Sequence, residues 1–260
     1  MPAQAAETPR VVITGASSGI GRALAREYAR RGAILGLVGR RRDALEELAA
    51  SLPVRCLVYA ADVRDAMVLS AAARHFMQRA GTPDIVIANA GISAGNDSAE
   101  AADNAVFEEI LATNVTGMML SFQPFLETMK RRRGGVLAGM ASVAGFRGLP
   151  GASAYSASKA AAISYLESLR VELRGSGIRV VTICPGYIAT PMTAGNRYPM
   201  PFLMPADAAA RSIVVAIDRG SRFHVLPWQM ALVGWLLRRL PRPLYDRAFA
   251  RAPRKARRAP

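Results

Sequence analysis

Six short apolar runs alternate with longer helix-like stretches in this chain, and that alternation restricts the fold more than any other feature. The runs are Val11 to Thr14, Ala33 to Val38, Val54 to Tyr59, Ile85 to Ala88, Val136 to Met140 and Ile178 to Cys184. They read as strands buried on both faces of a parallel sheet. Arg22 to Arg31, Arg42 to Ser51 and Ala157 to Arg174 are long enough to be crossover helices. Right-handed crossovers put such helices on both sheet faces. The expected fold is therefore α/β: a doubly wound, Rossmann-like parallel sheet in a three-layer α/β/α arrangement. Its expected limits are 10–226, between a flexible N-terminus (1–9) and an amphipathic C-terminal helix with a basic tail (227–260).

In such a sheet, ligands bind beyond the carboxyl ends of the strands. The first strand runs directly into Thr14-Gly15-Ala16-Ser17-Ser18-Gly19-Ile20-Gly21. Glycines there allow a tight turn and close approach to a pyrophosphate, and the following helix offers unpaired N–H groups to it. A glycine-rich turn with no ligand has the same spacing. The end of the second strand selects among dinucleotides. An acidic residue there would hold the ribose hydroxyls of NAD. This chain instead has Gly39-Arg40-Arg41-Arg42. Guanidinium groups match a phosphate in charge and bidentate geometry, so Arg40 first and Arg41 second are expected to hold the 2′-phosphate of NADP(H). The alternative is a solvated turn whose arginines pair with Asp43, Glu46 or Glu47.

A second pattern bears on chemistry. In Tyr155-Ser156-Ala157-Ser158-Lys159 the Tyr and Lys are four apart and share a helix face. One cation at ~5 Å in an effective dielectric near 20 favours phenolate by roughly 3 kcal/mol, or about two pK units. That shift would make Tyr155 a working acid/base. An ordinary helical Tyr beside a surface Lys is the plainer alternative.

Taken together, Thr14 to Gly21, Asn89-Ala90-Gly91, Asn114, Ser142 and Tyr155-x-x-x-Lys159 resemble the motif set of the short-chain dehydrogenase/reductases, in order and spacing, over about Val11 to Thr193. The resemblance implies an NADP(H)-dependent oxidoreductase that moves a hydride between nicotinamide and a carbonyl or alcohol. By it, Tyr155 is the acid/base, Ser142 binds the substrate oxygen, and Asn114 holds a water linking Lys159 to solvent. It further implies that Gly15, Ser17, Ser18, Gly19, Ile20 and Gly21 cradle the pyrophosphate. Asp62-Val63 would contact the adenine, Asn89-Ala90-Gly91 its ribose, and Pro185-Gly186 with Ile188 and Thr190 the nicotinamide carboxamide. Tyr155 and Lys159 would touch the cofactor too. Family members are commonly dimers or tetramers, so a homodimer or homotetramer is expected. A non-enzymatic NADP-binding redox sensor is the competing reading; it would not need the Ser142, Tyr155 and Lys159 set.

Met192, Tyr198, Met200, Phe202, Leu203 and Met204 form an apolar segment that reads equally as core or as a lid over an apolar substrate. The C-terminal extension is similar to that of family members acting on lipid-like or steroid-like substrates, and this resemblance implies a lipid-like or steroid-like ketone or aldehyde. Beyond a last strand at Arg222 to Leu226, the stretch Trp228 to Leu237 is too short to span a bilayer.

The net charge of +15 is concentrated late: Arg238, Arg239, Arg242, Arg247, Arg251, Arg254, Lys255, Arg257 and Arg258 face one acidic residue, Asp246. Two tryptophans beside these cations suit a helix lying on an anionic membrane surface; packing on its own domain or on a second subunit is the alternative. Few aromatics interleave with the terminal cations, so no specific nucleic-acid partner is expected. Cys56 and Cys184 lie in strand-like runs and read as packed free thiols, with no metal site. Met1 to Pro9 lacks the basic and apolar parts of a secretory signal, so a cytoplasmic location is expected, with contact at the inner membrane face.

Overall fold

The computed structural model describes residues 8–196, 198–252 and 254–257. The expected flexible N-terminus therefore lies outside the described residues apart from Thr8 and Pro9, as does Arg258. Seven strands form one parallel sheet: β1 (Arg10–Thr14), β2 (Ile34–Gly39), β3 (Cys56–Ala60), β4 (Ile85–Ala88), β5 (Gly135–Met140), β6 (Ile178–Pro185) and β9 (Phe223–Leu226). Their order is β3-β2-β1-β4-β5-β6-β9. The direction of winding reverses between β1 and β4, which opens a crevice beyond their carboxyl ends. β7 (Ile188–Ala189) and β8 (Met204–Pro205) pair separately.

Helices cover both faces. α1 (Gly19–Arg30) packs against α8 (Ala206–Asp218) on one side. On the other, α3 (Ala66–Ala80) packs on α5 (Gly117–Arg132), and α4 (Asn104–Leu111) on α6 (Ser153–Glu172). α2 (Arg42–Ala50) connects β2 to β3. The central strands are buried as their composition dictates, with Val11, Ile13, Leu35, Leu37, Val86 and Ile87 all at 0 % exposure. β3 departs from that expectation: all five residues are half-buried, because it is the sheet edge and has one neighbour only. Both cysteines are free, Cys184 buried in β6 and Cys56 half-buried on β3.

Short α7 (Pro191–Ala194) precedes α8, and the described part of the C-terminal segment holds two helices where the sequence suggests one. They are α9 (Trp228–Arg239) and α10 (Arg242–Phe249). Pro241, which has no N–H to donate, stands at the break and caps α10. α9 packs inward through Met230 and Gly234, where a Cβ would overlap the Phe146 ring. Arg147 donates to the Leu237 and Leu240 carbonyls at 3.1 Å and lies 4.1 Å over the Tyr245 ring. Tyr245 in turn donates to the Gly148 carbonyl. Own-domain packing thus holds for one face of α9. The other face is exposed, with Trp228 at 71 %, Leu232 at 64 %, Trp235 at 53 % and Leu236 at 60 %.

Candidate active site

A cleft of about 450 Å³ runs along the carboxyl ends of the sheet. Its lining includes Gly15, Ser17 to Ile20, Arg40, Arg41, Asp62, Val63 and Asn89 to Gly91 at one end, and Ser142, Tyr155, Lys159, Pro185, Gly186, Ile188 and Thr190 at the other. Gly21 and Asn114 stand behind this surface rather than on it. All the residues expected from the sequence to serve cofactor or chemistry are thus gathered on or just behind one crevice.

The glycine turn is shaped by close packing. Gly15 has a positive φ of 68°, and a Cβ on it would lie 2.8 Å from the Ala90 backbone. A Cβ on Gly21 would overlap the Gly15 carbonyl, so α1 can approach the turn only without a side chain there. Asn89 fastens the two switch-point loops, donating from Nδ2 to the carbonyls of Thr14 (3.0 Å) and Gly15 (3.3 Å). Thr14 answers by accepting the Asn89 and Ala90 N–H groups on one hydroxyl, each at 3.1 Å. The bare backbone of the turn and the open start of α1 make a cradle that fits a dinucleotide pyrophosphate.

At the far end of that cradle the arginines divide. Arg42 pairs with Glu46 at 3.2 Å, as the solvated-turn reading expects. Arg41 instead folds back to the Ser17 carbonyl (3.2 Å) and hydroxyl (3.3 Å), and Arg40 makes no ion pair among the described residues. Asp62 is already engaged by Arg64, whose guanidinium lies 2.7 Å away, and this pairing holds its carboxyl below the usual range.

Asn114 sits on a π-helical turn, Ala112 to Thr116, between α4 and α5. The extra residue per turn swings its side chain toward the β4 loop. It accepts from the Ile92 N–H at 2.8 Å and donates to the Ile92 carbonyl and the Ser158 hydroxyl, each at 3.0 Å. Ser142 ends β5. It accepts from the Ala144 N–H at 3.1 Å and donates to the Pro185 carbonyl at 3.3 Å. Gly145 lets this turn press on α6, since a Cβ would lie 2.6 Å from the Lys159 carbonyl carbon.

Lys159 is 4 % exposed, and its Nζ donates to the Met140 carbonyl at 2.7 Å while lying 5.7 Å from the Tyr155 ring centre. Burial drives its pKa down to about 8. Burial also pushes the Tyr155 phenol up, and the Ser142 side chain as hydrogen-bond partner offsets only part of this. The direction is opposite to the phenolate stabilisation argued from the Tyr-Lys spacing. In the closed apolar surroundings, desolvation of the phenolate outweighs the attraction of a cation turned toward a carbonyl. The phenol therefore keeps its proton at neutral pH, the form needed to give a proton away. Ser158, the Met140 carbonyl and the Thr14 hydroxyl are contributors that the sequence reading did not single out. Of these, Thr14 carried a signal, a hydroxyl at the junction of strand and glycine turn.

A parallel sheet with a glycine cradle at its switch point and, beyond β5, a cleft-facing Tyr above a buried Lys defines a dinucleotide-binding α/β protein of the oxidoreductase type. Comparison with known proteins agrees: the short chain dehydrogenase family matches residues 9–200. This chain belongs to that family, whose members bind a nicotinamide cofactor. A relative in Myxococcus xanthus described as an uncharacterized oxidoreductase is 41% identical over 243 residues, covering 92% of this chain and 96% of its own. Among solved structures, a short-chain dehydrogenase from Streptomyces avermitilis superposes with a TM-score of 0.80 at 26% identity, covering 90% of this chain and 93% of that one. An alcohol dehydrogenase from Thermococcus sibiricus, complexed with 5-hydroxy-NADP, gives 0.75 at 27% identity, covering 85% and 95%.

Proposed function

We propose that this oxidoreductase uses NADP(H) to reduce the carbonyl group of an apolar ketone or aldehyde. NADPH bound along the glycine cradle supplies the hydride. Tyr155, a phenol whose ordinary alkaline pKa is pushed further up by burial, donates its phenolic proton to the carbonyl oxygen as that oxygen gains charge, and Ser142 Oγ hydrogen-bonds the same oxygen. Hydride on carbon and proton on oxygen together give the alcohol. The Lys159 ammonium, 5.7 Å from the Tyr155 ring centre, supplies positive charge beside the phenol as it gives up its proton, and Asn114 fixes the Ile92 backbone. The pair on the cleft wall, a half-buried Tyr155 that faces the cleft and a buried Lys159 beneath it, is the observation that carries this reading.

The preference for NADP(H) rests on Arg40, exposed and without an ion-pair partner among the described residues, with Arg41 beside Ser17 at the same end of the cleft. Changing Arg40 and Arg41 together to Ala is expected to weaken NADPH binding by about tenfold or more while NADH binding changes little. Fluorescence titration with each cofactor measures this, and equal losses for both would remove the 2′-phosphate assignment. The apolar substrate rests on Met192, which lines the cleft at 42 % exposure, and on Phe202 and Leu203, exposed at 49 % and 46 % in the same segment. That segment reads as the lid.

No helix among the described residues is long and apolar enough to cross a membrane. The outer face of α9 nevertheless sets two tryptophans and two leucines beside Arg238 and Arg239, the latter 4.1 Å over the Trp235 ring. We assign this face to an anionic membrane surface. The protein is expected to float with vesicles rich in anionic lipid and to be released by high salt. Flotation with neutral vesicles alone, or with none, counts against it.

A further inference from the structure

The basic tail is seated rather than loose. After α10 the chain returns to the sheet top, where Gly95 N–H donates to the Ala256 carbonyl at 3.1 Å and Gly95 bridges Arg257 in a parallel β-contact. A Cβ on Gly95 would overlap the Lys255 carbonyl, and one on Gly151 would lie 2.7 Å from the Arg254 side chain. The strap 254–257 thus fills a groove between the loop after β4 and the start of α6. Arg257 anchors it through two hydrogen bonds to Asp103, at 2.9 and 3.2 Å. Asp103 is 5 % exposed and also accepts from the Asp97 N–H at 2.7 Å. A buried carboxylate that needs this guanidinium is a strong anchor.

The three cations of the strap differ in their partners. Arg257 has Asp103 and Glu100, and Arg254 has Asp97 at 3.8 Å. Lys255 has no carboxylate partner among the described residues; its ammonium donates only to the Ser93 hydroxyl, at 2.9 Å. It is half-buried, and this burial without a counter-charge lowers its pKa. Ser93 directly follows Ile92, which lines the cleft with Ser142 and Tyr155. On the other side of the strap, Gly151 stands in the turn just before α6, which carries Tyr155 in its first turn. Lys255 and Ser93 stand just outside the cleft lining, Ser93 one residue past Ile92, so a half-buried cation with no carboxylate partner among the described residues is held next to the cleft by a strap 162 residues away in sequence from the loop it meets.

We propose that Lys255 is a specificity-determining residue that receives an anionic group, of carboxylate type, at the far end of an apolar carbonyl substrate. This rests on the carbonyl-reducing function proposed above and narrows its substrate to an amphiphilic keto or aldehydo acid. The cleft supplies the apolar surface, and Lys255 with Ser93 supplies a cation and a hydroxyl for one oxyanion.

The test uses the full chain with NADPH and pairs of straight-chain carbonyl compounds of matched length, one ending in a carboxylate and the other in its methyl ester. Sulfonate-ended and phosphate-ended partners establish which anion is preferred. The expected result is a kcat/KM at least about tenfold higher for the carboxylate. In Lys255→Met that advantage is lost through KM, while kcat for the ester and the affinity for NADPH stay as in the parent; Lys255→Arg retains part of it. Ester and carboxylate reduced equally well by the parent protein, or an equal loss for both in Lys255→Met, overturns the assignment and leaves carbonyl reduction standing. A sulfonate or phosphate preferred over the carboxylate overturns the carboxylate choice. No reduction of any member of the series overturns both readings.

Discussion

Replacing Tyr155 with Phe is expected to lower carbonyl reduction by about 1,000-fold or more while NADPH binds within about twofold of its normal affinity. The ring, its packing and its place on α6 survive; only the phenolic oxygen is lost. The effect is large because none of the described residues lining the cleft is an equivalent acid. Ser142 is a weak acid already bonded to the Pro185 carbonyl and the Ala144 N–H, and Lys159 points its Nζ at the Met140 carbonyl. Stopped turnover with intact cofactor binding separates a proton donor from a residue that merely shapes the site. A variant that still reduced carbonyls at more than about a tenth of the parent rate would remove Tyr155 from the chemistry.

Lys159→Met should give the less intuitive result, an inactive protein that is more stable than its parent. Lys159 is 4 % exposed, and burial takes its pKa from 10.5 to about 8. A shift of that size corresponds to about 3 kcal/mol of unfavourable free energy for holding the ammonium in the folded state at neutral pH. Met fills nearly the same volume, and loss of the hydrogen bond to Met140 gives back about 1 kcal/mol. The net gain of about 2 kcal/mol raises the melting temperature by about 5 °C. The pH dependence carries the same signature. Between about pH 8 and 10.5 the unfolded chain binds more protons at this site than the folded one, so this lysine's contribution makes stability rise with pH across that window. Below about pH 8 its destabilising contribution is present in full. Thermal melts of parent and variant across this range measure both effects. A variant less stable than the parent at neutral pH, or one keeping the alkaline rise, would show that Lys159 is held at no energetic cost.

The two substitutions also mark where sequence reading stopped. The motifs that meet on the crevice were legible because a parallel sheet forces ligand-contacting residues to the carboxyl ends of its strands. Thr14 to Gly21, Asn89 to Gly91 and Ser142 therefore stand directly after recognisable strands β1, β4 and β5. The spacing of Tyr155 and Lys159 gave their proximity. It did not give the sign of the Tyr155 shift, because burial from β5, β6 and the Ser142 turn is a property of three-dimensional packing. Charge and geometry put Arg40 first and Arg41 second for the phosphate, with pairing to Asp43, Glu46 or Glu47 as the alternative; α2 takes Arg42 for Glu46 and leaves Arg40 and Arg41 on the cleft.

Long-range pairing was equally invisible. Nothing in the sequence around Asp103 announces that Arg257 neutralises it, nor does a basic terminal run announce a strap seated between Gly95 and Gly151. The same composition serves a solvated tail. Similarly, the periodicity of Trp228 to Leu237 reads as one amphipathic helix. The inward contact of Gly234 at Phe146 depends on the turn after Ser142, more than eighty positions earlier, whereas the break at Pro241 is a local signal that the periodicity did not use.

The central claim is that the Tyr155 cleft reduces carbonyls with a hydride from NADPH. Its most direct test is a reaction with NADPH carrying deuterium at the transferable position of the nicotinamide, run over a graded series of apolar ketones and aldehydes. The expected product is alcohol with one deuterium on the former carbonyl carbon, formed faster with NADPH than with NADH and lost in Tyr155→Phe. Cofactor that binds but transfers no deuterium to any carbonyl in the series would contradict it.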